Sequence, residues 1–184
     1  MDISLLGFGA IQELFNVHPM FVHFPAALLP AAFLLYGLGI GLKKSQLNSA
    51  ARTCLYLGTA GALAALVTGL RAEGSIPHNE TIHRMMETHA VLAWITLGFS
   101  AVLSGWSFLQ TEHRPKAAWA FLALLGLANL AMMQGADIGA RMVYLEGAAV
   151  KPAAKVISDD GTSAPAPEPA AAPPAGHEGH HHHH

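Results

Sequence analysis

The chain has 184 residues, 52% hydrophobic and 12% charged, with a formal net charge of −2. Its mean hydropathy of +0.37 is too high for an ordinary soluble domain of this length. The near-neutral charge without any basic run argues against nucleic acid as a partner, and the single cysteine, Cys54, rules out an internal disulfide framework.

The first 17 residues, MDISLLGFGAIQELFNV, lack the basic n-region and small-residue cleavage site of a secretory signal. Ile3, Leu6, Phe8, Ile11, Leu14 and Phe15 fall on one side of a helix, so residues 1–17 are expected to form an amphipathic segment in the membrane interface. Four apolar windows follow, roughly Phe21 to Leu42, Cys54 to Leu70, Ala90 to Leu109 and Ala117 to Ala136. Each is close to the ~20 residues that a helix needs to cross a bilayer. The expected fold is all-α: a four-transmembrane-helix bundle over residues 18–150, with lipid around it. Residues 151–184 are rich in alanine and proline and cannot bury a core, so a disordered tail is expected there. Its closing histidine run is readable either as a native metal-collecting end or as an added tag.

Orientation follows from the basic residues of the short connections. Lys43, Lys44 and Arg52 lie between spans one and two, and Arg114 and Lys116 between spans three and four, so both connections are expected in the cytoplasm. The middle loop balances Arg71 and Arg84 against Glu73, Glu80 and Glu87. Both termini and this loop are then expected in the periplasm, with the protein multi-pass in a bacterial inner membrane. On that topology His18, His23, His78, His83 and His89 gather on the outer side, together with Met20, Met85, Met86, Met132, Met133 and Met142, while His113 is cytoplasmic.

Helical phase, at about 100° per residue, indicates which side chains face inward. His23 shares a stripe with Ala27, Pro30, Gly37 and Gly41, and His89 shares one with Ala93, Thr96 and Ser100. Small residues mark the faces where membrane helices approach closely, so His23 and His89 are expected to face the bundle. His18 is turned about 140° from His23 and is expected at the helix entrance, with Pro19 in the first turn. Pro25 and Pro30 are expected to kink the span and widen the space beside it. Gly61, Ala65 and Gly69 form a small-residue ridge in span two; Ala131, Gly135 and Gly139 form one in span four. Asp137 and Arg141 have the i,i+4 spacing of an ion pair.

The stretches HPMFVHFP at 18–25 and GADIGARMVYLEGAAV at 135–150, together with four spans, resemble a bacterial membrane family known as domain of unknown function 2231. Ala140 and Ala148 stand where that family's pattern has glycine. The resemblance covers about residues 16–150, implies the four-helix fold and makes His18 and His23 signature positions, without implying an activity.

Three readings of the histidines remain open. In the first, His23 and His89 are axial ligands of a b-type haem near the periplasmic end, because facing helices can each supply one imidazole and a porphyrin needs small residues beside it. Arg84, Arg71 or Arg141 would then meet the propionates, and the activity would be electron transfer to a redox partner protein. In the second, copper or another transition metal is held by His18, His23, His83 and His89 with Met20, Met85, Met86 or Met132, since thioethers suit Cu(I) and imidazoles suit copper and zinc. In the third, the histidines cap helices and the chain is a cofactor-free structural or transport subunit. No nucleophile–base arrangement or phosphate-binding loop is present, so an electron-transfer protein or subunit is expected rather than a stand-alone enzyme. A homodimer through an exposed small-residue ridge is compatible with the chain's small size.

Overall fold

The computed structural model describes residues 17–74, 79–110 and 115–148. The interfacial segment, apart from Val17, and the tail lie outside the described residues, as do His78 and His113. Four helices make up the rest: α1 (His18–Gly41), α2 (Ser45–Glu73), α3 (Glu80–Phe108) and α4 (Ala118–Tyr144). Each is long and apolar enough to cross a membrane. The all-α, four-span architecture expected from composition is therefore the one observed. The helices have 24, 29, 29 and 27 residues, which at 1.5 Å per residue is about 36–44 Å. That exceeds the ~30 Å of hydrocarbon, so the helix ends reach the headgroup layers.

Local sequence sets the helix ends. α1 begins directly after Val17, with Pro19 in the first turn, where a missing N–H has no helical partner to lose. It continues past Pro25 and Pro30. A tight connection in which Lys43 takes the left-handed conformation (φ 55°) leads to α2. α3 has a side-chain cap: Asn79 Oδ1 accepts from the Ile82 N–H at 2.9 Å, and Glu80 adds negative charge where the helix dipole favours it.

α1 packs along α2, and α3 along α4; the α2–α3 and α4–α1 seams are lighter, and the diagonal pairs make no close backbone approach among the described residues. The bundle is thus a ring of antiparallel neighbours, with α1 and α3 starting at the same end. Its apolar core lies toward the other end, built on Leu29, Tyr36, Leu55, Leu103, Phe121 and Leu125. Phe121 stacks edge-on with Tyr36 at 5.1 Å and with Trp106 at 5.7 Å. Large apolar side chains such as Leu34, Leu57, Leu63, Trp94, Val102 and Leu130 are exposed on all four helices. Such a surface suits a bilayer rather than water.

The α1–α2 seam shows how the small residues are used. A Cβ placed on Gly58 would lie 2.9 Å from Leu29 Cδ2, and one on Gly61 3.1 Å from Pro25 Cδ. At these two positions α2 supplies the hollows and α1 the bulk. Phe24 Cβ and the ring of Pro25 together cover Gly61. Near the connection the side chain of Asn48 rests directly on Gly39, close enough for the weak Cα–H···O contacts common between membrane helices.

Candidate functional site: a histidine pair on the bundle axis

The buried positions of α1 are Pro25, Leu29, Ala32, Tyr36, Gly39 and Ile40. Seven residues before Pro25 stands His18, which continues this inward stripe to the mouth of the bundle. Its Nδ1–H donates to the Ala65 carbonyl of α2 at 2.8 Å, with Thr68 Oγ1 at 3.3 Å. In α3 the buried positions Ile82, Thr96, Ser100 and Leu103 include His89 in their period. The His89 Nδ1–H donates to the Gly135 carbonyl of α4 at 2.8 Å.

The two partly buried rings, from diagonal helices, meet edge to face with centroids 6.1 Å apart and planes at 88°. Each lies on a glycine. A methyl group on Gly69 would come 3.0 Å from His18 Cε1, and one on Gly139 3.3 Å from His89 Cε1. A carbonyl only accepts, so each ring carries a proton on Nδ1. A metal-ligating histidine is usually held in this way, its other nitrogen anchored to the backbone. The inward positions nearest the pair include Gly61, Ala62, Ala65, Thr96 and Gly135. The aromatic core is a further two turns or more away along the helices.

The orientation expected for His23 is corrected. His23 is exposed on α1, and its Nδ1–H donates to Pro19 O of its own helix at 2.6 Å. Large α1 side chains seat in the glycines of α2, and this fixes the inward face on the His18 stripe; the small residues Ala27 and Gly41 are exposed. His23, five residues on, is carried about 140° away from His89. The expected pairing of His23 with His89 does not occur, and His18 takes that place.

The other expected site residues are spread out. His83 and Arg84 lie in the first turns of α3, where α3 extends beyond the layer of the pair. His83 Nε2 is 3.6 Å from Glu87, and Arg84 Nε is 3.9 Å from Glu80. Arg141 forms the expected pair with Asp137 at 2.9 Å, half-exposed. Met85 and Met86 are partly buried one turn before His89, Met20 is 44% exposed, and Met132 packs against the core. Among the described residues, no group of three or more His, Cys, Asp or Glu side chains comes together as a cation site. Sequence reasoning missed the two anchoring carbonyls, Ala65 and Gly135, though both sit in ridges whose glycines stood out.

Residues 14–152 match the model of a family described as "Predicted membrane protein (DUF2231)". No curated protein and no solved structure matches the chain.

Proposed function

The chain belongs to this family of predicted membrane proteins, and from that footing we propose that it is a b-type haem protein for electron transfer, in which His18 and His89 would hold the haem. One observation carries the reading: two imidazoles from diagonal helices meet at 6.1 Å with both Nδ1 protons committed to backbone carbonyls. His18 and His89 are the residues that would hold the group, their rings being close enough for one centre to be shared between them. A histidine serving only to stitch helices needs its carbonyl partner and has no need of a second imidazole facing it.

The ligand count favours haem over a bare ion. Copper or zinc held by protein alone asks for three or four donors, whereas a porphyrin brings four nitrogens and needs two more. When bound, iron would supply the ferric–ferrous couple. The chain's own groups would hold the ligand rings in position through Ala65 O and Gly135 O.

In the proposed setting, a bacterial inner membrane, the basic residues Lys43, Lys44 and Arg52 support a cytoplasmic α1–α2 connection by the positive-inside rule. The histidine end then faces the periplasm, where a redox partner protein would exchange electrons.

The test is the reduced-minus-oxidised visible spectrum of full-length protein purified from haem-replete cells. A red protein is expected, with His18→Ala and His89→Ala each losing most of the haem and His23→Ala retaining it. A colourless, iron-free wild-type preparation overturns the reading, and full occupancy in both His18→Ala and His89→Ala overturns the choice of ligands.

A further inference from the structure

His18 and His89 stand 71 residues apart, and the same interval relates the buried positions of α1 to those of α3: Pro25 to Thr96, Leu29 to Ser100, Tyr36 to Ser107. An interval of 70 relates α2 to α4 in the same way: Ala51 to Phe121, Leu55 to Leu125, Ala65 to Gly135. The seat glycines obey it too, Gly69 to Gly139, as do two arginines, Arg71 and Arg141. A shared interval over four helices, with the heavier packing inside each hairpin and the lighter between hairpins, is the signature of a repeated supersecondary unit.

The contacts locate the axis. Equivalent groups that touch each other must straddle the axis relating them, and this happens twice. His18 meets His89 at one end, and Tyr36 Oη lies 3.1 Å from Ser107 Oγ toward the other. Even the lipid-facing grooves repeat. One of about 640 Å³ at the α1–α4 seam is lined by Phe33, Asn129 and Met133, and one of about 470 Å³ at the α2–α3 seam by their equivalents Ser104, Thr59 and Leu63.

We infer that the chain is two copies of one helical hairpin about a dyad along the bundle axis, and that each copy contributes an equivalent arm to one site on that dyad. An arm is an imidazole, the carbonyl that anchors its Nδ1–H, and the glycine four residues on that makes room for the ring. Gly69 and Gly139 are thus positioning residues. The site would take a group that both arms hold alike, which for the proposed function is a haem. The nature of that group rests on the haem reading; the equivalence of the arms does not.

The experiment uses full-length Gly69→Ala and Gly139→Ala, with Gly98→Ala, whose added methyl meets nothing within 4 Å, as control. Alanine favours the helix, so lost binding would not come from helix breakage. Each seat variant is expected to weaken haem binding by about 10–100-fold, the usual cost of disturbing the group that orients a ligand, and to a similar extent, with Gly98→Ala unchanged. Histidine ¹⁵N spectra of the haem-free protein give a second readout: Gly69→Ala should shift the His18 Nδ1 signal and Gly139→Ala that of His89. If the wild type binds no haem, the haem reading fails while these spectra still decide the dyad. A shift at one ring only, or at neither, overturns the equivalent arms.

Discussion

His18 and His23 are separated by five residues and by opposite surroundings. One is clamped to the neighbouring helix α2 and the other is folded back on its own helix. What separates them is the seating of α1 on the glycines of α2, so the seam can be tested at a residue that holds no histidine. Gly61→Leu would press a branched side chain against Phe24 and Pro25, already 2.5 and 3.1 Å from a Cβ at that position. Overpacking of this kind typically costs about 1–3 kcal/mol, and the variant should unfold correspondingly earlier in mixed-micelle titrations. Wild-type stability for Gly61→Leu would mean that the seam is loose. His89 was legible in the sequence, because Thr96 and Ser100 mark its stripe without ambiguity. His18 was not, because the small residues of α1, Ala27 and Gly41 among them, do not mark its inward face. At each level of this seam one helix gives the hollow and the other the bulk, and only the three-dimensional match says which is which.

At the level of the helices, the apolar windows gave the four spans but cut them short. The polar first turns of α3, through Glu80, His83, Arg84 and Glu87, continue its hydrogen bonding beyond the apolar stretch. Asn79 starts that extension by capping it. Between helices, hydroxyl pairs join what the apolar contacts align: Thr59 with Ser104 at 2.9 Å and Tyr36 with Ser107 at 3.1 Å. Interhelical hydrogen bonds in membranes average about 0.6 kcal/mol and reach about 1.7 kcal/mol. Tyr36→Phe should therefore cost less than about 2 kcal/mol in the same micelle assay. It should leave the haem content of the protein as in the wild type, since Tyr36 lies in the core and away from the pair. A larger loss would show that the phenol holds the hairpins together to a degree that its single bond does not suggest.

For the whole molecule, the ring arrangement places both diagonal partners at one mouth and the Lys43–Lys44 connection at the other. The proposed orientation makes a direct forecast in a Cys54→Ser background. Glu146→Cys should react with a membrane-impermeant maleimide added to spheroplasts, and Lys44→Cys only after the membrane is opened. The reverse pattern would put the histidine mouth on the cytoplasmic side. The number of spans and the crowding of histidines at one end were legible from hydropathy and loop charge. The repeat was also written in the chain, as intervals of 70 and 71 residues, but few side chains are identical across it, so spacing alone carries it.

The two carbonyl anchors have a consequence for how quickly such a centre could respond. A ring already fixed by its Nδ1–H to a helix on one side, and backed by a glycine on the other, has almost no freedom left to swing when the charge beside it changes. Preorganised dipoles of this kind need no rearrangement at the moment of reaction, so the part of the barrier that comes from moving atoms shrinks. The bundle's stiffness at that mouth would then set the pace of exchange by holding both valence states in one geometry.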